Sequence, residues 1–227
     1  MLHQLARCPC CLGKQFQEHQ ILWPGLIQEW GLQEAEAVYL NRQQGLRCTR
    51  CRTSLRGMVL AEAIMRATGH IRPFALWVLL RQRQRVLEVN PAAELHRFLR
   101  FSRRATLTNY PDVDIQALPY EDASFDLVVH SDTLEHVPDS LRALEECRRV
   151  LTAGGVLCYT VPVVLGRLTR MRDPHVPSYH GLEGHPDYLV VREYGTDFWE
   201  EPLRAGFSEV RVVTLGFPAG IALICRA

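Results

Sequence analysis

The stretch Leu118-Pro-Tyr-Glu-Asp-Ala-Ser-Phe-Asp-Leu-Val-Val129, followed by Leu134-Glu-His-Val-Pro-Asp139, decides the fold. Turn-forming Pro, Asp and Ser run into the apolar block Phe125-Asp-Leu-Val-Val129, which reads as a buried strand. A helix is expected from Ser140 to Leu151. Gly154-Gly155 then turns the chain into a second apolar strand, Val156-Leu-Cys-Tyr-Thr-Val161. Strand, helix and strand in that order build a parallel α/β unit. Working upstream, Val86-Leu-Glu-Val89 reads as a buried strand, Ala92–Arg100 as helical and Ala105-Thr-Leu-Thr108 as a further strand. Downstream come a long loop, a helix near Thr196–Ala205, and two strands, Val210–Leu215 and Ile221–Cys225. Gly216-Phe-Pro-Ala-Gly220 joins those two as a terminal antiparallel hairpin.

The 227 residues are 47% hydrophobic and 22% charged, which excludes a disordered, collagen-like or coiled-coil chain. The apolar run Phe74–Leu80 is far shorter than the ~20 residues that span a bilayer. Met1–Cys8 carries no apolar core of signal-peptide length, so a cytoplasmic protein with no membrane partner is expected. The net charge of +1 divides into +9 over residues 1–110 and −8 over residues 111–227. That division suits two halves that attract each other, and also an RNA partner.

Eight cysteines in such a chain call for something other than disulfides. Cys8/Cys11 and Cys48/Cys51 form two C-x-x-C pairs, which together complete a tetrahedral structural Zn²⁺ site. Cys10 is an alternative ligand with poorer spacing. The 36 residues between the pairs exceed the usual ribbon spacing, so an insertion from Trp23 to Gln44 must fold beside the metal. Cys147, Cys158 and Cys225 fall in helix or strand patterns and read as buried hydrophobes. Three segments follow: a four-cysteine zinc-binding module (1–56), a helical connector (57–84) with Ser54 capping a helix to Ala67, and an α/β domain (85–227).

The run Leu118–Val129, the segment Leu134–Asp139 and the turn Arg148-Arg-Val-Leu-Thr-Ala-Gly-Gly155 together resemble class I S-adenosylmethionine-dependent methyltransferases of the type 11 kind. The cysteine module and Tyr194-Gly-Thr-Asp-Phe-Trp199 are similar to a bacterial subset of them. The resemblance implies a shortened Rossmann-like methyltransferase sheet with S-adenosyl-L-methionine as cofactor. It assigns Glu88 to the methionine or ribose end, Asp114 to the adenine amine and Ile115 to packing on the ring. Two departures bear on this. Where the family carries three glycines after the first strand, this chain has Glu88-Val-Asn90-Pro-Ala92-Ala-Glu94, so Asn90 and Ala92 must supply the turn. Only 36 residues separate Glu88 from Phe125, too few for the usual second βαβ helix, and Thr108, Asn109 or Asp112 would replace its ribose-binding acid.

Ligands of open α/β sheets bind beyond the carboxyl ends of the strands. That rule gathers Glu88–Ala92, Asn109–Asp114, His130–His136 and the start of the loop from Pro162. Candidate bases for methyl transfer are His130, Asp132, His136 and His180, with His130 also beside the cofactor. Arg167, Arg170, Tyr179, His180 and Tyr194 lie in the long loop and are candidates for binding substrate, the arginines for an anionic one. Three functions fit: a methyltransferase for a small-molecule or glycan-type acceptor, an RNA methyltransferase gripping RNA through the zinc module, and a non-catalytic binding protein of methyltransferase fold.

Overall fold

A computed structural model describes residues 5–81, 83–179 and 188–227. The chain starts with two short strands, β1 (Phe16–Glu18) and β2 (Leu46–Cys48), paired antiparallel. Between them lie α1 (Pro24–Glu29) and α2 (Glu34–Gly45). Pro24 starts α1, where its missing N–H costs nothing, and Gln33 with Glu36 forms a capping box on α2. Gly45 ends α2 where no side chain fits, since a Cβ there would lie 2.1 Å from the His19 carbonyl oxygen.

The main sheet has six strands. β3 (Val86–Val89), β4 (Ala105–Thr108), β5 (Phe125–Ser131) and β6 (Leu151–Thr160) are parallel. Four two-residue strands follow: β7 (Arg170–Met171), β8 (Ser178–Tyr179), β9 (Leu189–Val190) and β10 (Arg192–Glu193). β7 pairs with β10 and β8 with β9. Last come β11 (Glu209–Leu215) and β12 (Gly220–Arg226), an antiparallel hairpin laid against β6. The strand order is β11-β12-β6-β5-β3-β4, the shortened Rossmann-like arrangement with its terminal hairpin. Between β4 and β5 the described chain makes turns and no helix, as the 36-residue spacing requires.

Strand alternation sends successive side chains to two cores. Val86, Leu127, Val129, Val156 and Cys158 face α3 (Leu55–Ala67), in a core that continues to Leu26, Tyr39, Cys8 and Cys48 of the N-terminal segment. Leu87, Val128, Leu157 and Tyr159 face α6 (Ser140–Val150). The Ser54 side chain accepts from the Gly57 N–H to start α3, and Gly69, at φ +69°, follows its end. α4 (Phe74–Leu76) runs into a π turn, Trp77–Arg81.

Three expectations shift. The helix from Ala92 to Arg100 is a 3₁₀ turn, Ala93–Leu95, followed by α5 (His96–Leu99). Ala93 takes φ +49°, which breaks a regular helix before it starts. The helix near Thr196–Ala205 contracts to α7 (Glu200–Arg204). β6 begins early, at Leu151. Its ladder with β5 jumps from Phe125–Leu151 to Leu127–Val156, so Thr152–Gly155 bulge out of register, with Gly154 at φ +75°. No helix among the described residues is long and apolar enough to cross a membrane.

Candidate active site

The four cysteines of the two C-x-x-C pairs converge. Their sulfurs lie within 4.8 Å of one another, Cys8 to Cys51 at 3.6 Å and Cys11 to Cys48 at 3.7 Å. The two turns repeat each other. Cys8 O accepts from the Leu12 N–H at 2.8 Å and Cys48 O from the Arg52 N–H at 2.7 Å. Leu12 and Arg52 both adopt positive φ, +62° and +59°. The Cys8 N–H donates to Gly13 O, as the Cys48 N–H does to Thr53 O. A Cβ on Gly13 would meet Cys48 Sγ at 2.8 Å, so only glycine lets the knuckles close. Tetrahedral Zn–S bonds of ~2.3 Å place sulfurs ~3.8 Å apart, and this donor set fits that ion.

The second knuckle reaches the loop after β3. Glu94 takes the Ser54 N–H at 3.0 Å and the Ser54 hydroxyl at 2.8 Å, and pairs with Arg47 at 3.2 Å. Glu94 thus holds the first turn of α3, where a carboxylate is favoured by the helix dipole. Glu88 is 1% exposed, and both its oxygens serve the same loop. Oε1 accepts from the Ala92 N–H at 2.9 Å, and Oε2 stands 2.7 Å from His96 Nδ1. Burial raises its pKa, and the Ala92 N–H and His96 offset part of that rise. Asn90, at φ +56°, accepts the Tyr110 N–H at 2.8 Å and so ties the ends of β3 and β4 together. Asn90 and Ala93 therefore make left-handed turns without glycine.

A cleft of about 1070 Å³ opens beyond the carboxyl ends of β3, β4, β5 and β6. It brings together six predicted residues: Asn90, Asn109, Asp114, Ile115, Asp132 and His136. Asp114 lines the cleft and accepts the Gln116 N–H at 2.8 Å and its side-chain amide at 3.2 Å, while Ile115 and Val113 form an apolar wall. These features fit an adenosyl group: an acceptor beside an apolar wall, and a first loop held in its turn. His136 Nδ1 stands 2.9 Å from Leu189 O.

Asp132, at φ +45°, sits at the centre. It accepts from Arg56, from Gln44 Nε2 at 2.8 Å and from the Thr160 hydroxyl at 2.9 Å. Burial works to raise its pKa, but Arg56 and these donors outweigh burial and hold it below the usual range.

Other predicted residues lie elsewhere. Glu88 and Ala92 stand behind the cleft wall and Asp112 is exposed. His130 points into the core: fully buried, stacked on Tyr159 at 4.8 Å, with no hydrogen bond at either nitrogen, and held neutral by a pKa that burial lowers to about 3. Arg167, Arg170 and Arg172 converge on Glu193, a carboxylate 1% exposed. Arg167 also reaches Trp30 O at 2.7 Å, and Arg172 pairs with Glu29 at 2.8 Å, so the loop is stitched to α1. Tyr194 is buried and donates to Glu201 at 2.8 Å, and Tyr179 lies in β8. His180 lies outside the described residues.

Sequence reasoning missed Arg56, Glu135 and the cleft roof made by Leu22, Trp23, Leu26 and Trp30. Arg56 had a signal: a cation in the first turn of a helix opposes the dipole and implies an acid partner. Glu135 adjoins His136 in the stretch that decides the fold.

The family described as "Methyltransferase domain" matches residues 69–159, less than half of the chain. Among curated relatives, a probable S-adenosylmethionine-dependent methyltransferase of Mycobacterium tuberculosis is 35% identical over 90 residues, covering 37% of this chain and 32% of its own length. The 27-O-demethylrifamycin SV methyltransferase of Amycolatopsis mediterranei is 40% identical over 82 residues, covering 36% of this chain and 25% of that protein. The chain thus aligns with about a third of the curated relatives' length or less. Among solved structures, the 1,6-didemethyltoxoflavin-N1-methyltransferase of Burkholderia thailandensis is similar over 72% of this chain and 77% of its own, at 17% identity and a TM-score of 0.41. Residues 69–159, which run from just after α3 to β6, are therefore the part of the chain that is similar to a methyltransferase domain.

Proposed function

We propose that this protein is an S-adenosylmethionine-dependent methyltransferase acting on a small-molecule or glycan-type acceptor. The observation that carries the proposal is the cleft at the carboxyl ends of β3–β6, about half of whose wall comes from the segment that matches the methyltransferase family. Asp114 would hold the adenine amine and Ile115 its ring. Glu88 would act indirectly, by fixing the loop that carries Asn90. The bound cofactor supplies an electrophilic sulfonium methyl group, and the chain contributes position and a dry wall, which dominate an in-line displacement. The four thiols would hold a structural Zn²⁺. The eight free cysteines support a reducing, cytoplasmic setting.

Calorimetric titration with S-adenosylhomocysteine tests this. Micromolar binding is expected, weakened at least tenfold in Asp114→Ala. One equivalent of zinc is expected by metal analysis, and less than half of it in Cys48→Ser. A non-catalytic binding protein of the same fold is the second reading, favoured by the engagement of both Glu88 oxygens within the chain. No binding of S-adenosylhomocysteine would establish that one instead.

A further inference from the structure

Glu135 lies in the turn Leu134–His136 just after β5 and lines the cleft. It is 1% exposed, and among the described residues no other residue donates a hydrogen bond to either oxygen of its carboxyl. A buried polar group without a partner is costly and rare in folded proteins. Its surroundings do not relieve it. Asp132 is a second acid close by, and Arg56 is already held by Asp132. His136 Nε2 stands 3.8 Å from Glu135 Oε1, beyond hydrogen-bond reach. Burial, then Asp132, drives the Glu135 pKa well above the carboxylate range, with its own backbone N–H and then Arg56 opposing. From α2, Gln43 adds a second nearly buried side chain to the cleft, and its amide oxygen also has no partner.

The charge of the cleft has a sign. Arg56 balances Asp132, Asp114 adds a further acid, and Glu135 has no cation of its own, so the complement that lets Glu135 ionise is a donor that carries positive charge. Its roof is apolar: Leu22, Trp23, Leu26 and Leu32 come from the insertion between the two cysteine pairs. Trp23, half exposed, stands among them with its ring available to a ligand.

We propose that the methyl acceptor is an amine on an aromatic or apolar body, held by the Trp23–Leu26 roof: its ammonium gives a proton to the Glu135 carboxylate, and the freed nitrogen lone pair forms the N–C bond as the sulfonium S–CH3 bond breaks and S-adenosylhomocysteine leaves. The assignment rests on the methyltransferase reading above, because it takes the cleft to hold cofactor and acceptor together. A volume slightly above the ~300–1,000 Å³ of ordinary ligand pockets suits two ligands.

Phenethylamine, 2-phenylethanol and 3-phenylpropionate share a body and differ in the polar group. They are titrated into the full chain with and without saturating S-adenosylhomocysteine. Phenethylamine is expected to bind at least tenfold more tightly than the alcohol and more tightly still than the acid. Glu135→Gln should weaken the amine at least tenfold and leave the alcohol and S-adenosylhomocysteine unchanged. Trp23→Ala, at an exposed position that folding tolerates, should weaken amine and alcohol alike. The proposal is overturned if phenethylamine does not bind, if it binds no better than the acid, or if Glu135→Gln leaves its affinity unchanged. Amine binding that depends on Glu135 without binding of S-adenosylhomocysteine would keep the amine site and remove the methyltransferase reading.

Discussion

Glu88 ends one parallel strand and Glu135 follows the next, and each is only 1% exposed. The first is fully engaged, by the Ala92 N–H and His96, while the second has no hydrogen bond to any other described residue. Both pay desolvation, but only Glu88 recovers it within the chain. The strand end rebuilt without glycines has become an internal anchor, tied through Glu94 to the second cysteine knuckle. The strand end that carries Leu134-Glu-His136 leaves an acid without a hydrogen bond from another described residue. Burial alone therefore does not mark a functional carboxyl; burial without a partner does.

The largest expected effect separates the two ends by stripping the zinc proposed for the four cysteines. A structural zinc site couples ~10 kcal/mol or more of binding to folding, and the Glu94–Ser54 contact hangs on that site. Chelation should expose the amides of Cys48, Ser54 and Ala92 to hydrogen exchange while Val128 and Val129 stay protected. Equal loss at both would break the comparison.

Next comes Glu193→Ala. It leaves Arg167, Arg170 and Arg172 facing one another without their shared acid, and removing one partner of a buried ion pair costs ~3–5 kcal/mol. Urea midpoints read the loss, and a change under ~1 kcal/mol, the scale of exposed pairs, would show that the network is solvated.

Glu88→Ala orphans the Ala92 N–H, at a cost of ~1–3 kcal/mol. Because Glu88 holds the cofactor loop, S-adenosylhomocysteine affinity should fall with it.

Glu135→Gln should have the opposite sign and raise stability by ~1 kcal/mol, since a neutral amide is cheaper to bury unpaired. The pH dependence follows the same logic. The raised Glu135 pKa means that the folded state keeps its proton longer than the unfolded chain does. Its contribution is fully present below the unfolded value of ~4.3 and is lost as pH rises through the folded value. His130 runs the other way. Its pKa of about 3 makes its contribution complete above ~6.5, and that contribution falls as pH drops through this window. Stability curves of Glu135→Gln and of His130→Phe should each flatten on their own side, and unchanged curves would remove these groups from the account.

Much of the frame was legible because its signals are local. Val86–Val89 and Ala105–Thr108 fall where their apolar blocks place them, and α3 starts at the Ser54 cap. The four cysteines meet as their spacing implies. The helix after β3 was misread in length because positive φ at Ala93 has no glycine to announce it. The loop arginines were read as available to substrate because Glu193, which neutralises them, lies more than 20 residues further along the chain. A charge looks free in sequence until its partner is found in space.

The sequence by itself determined the parallel strands, the terminal hairpin, the missing second helix and the paired cysteine knuckles, since periodicity, turn residues and short spacings act over a few neighbouring positions. Only the tertiary structure decided which acids are anchors and which is available. Whether a carboxylate is satisfied depends on groups from distant segments: Arg56 reaching Asp132 from α3, Gln44 reaching it from α2, and, among the described residues, no side chain from a distant segment hydrogen-bonding Glu135. In a low-dielectric interior, that difference in partners sets both the cost of burying a charge and the chemistry of the ligand that would relieve it.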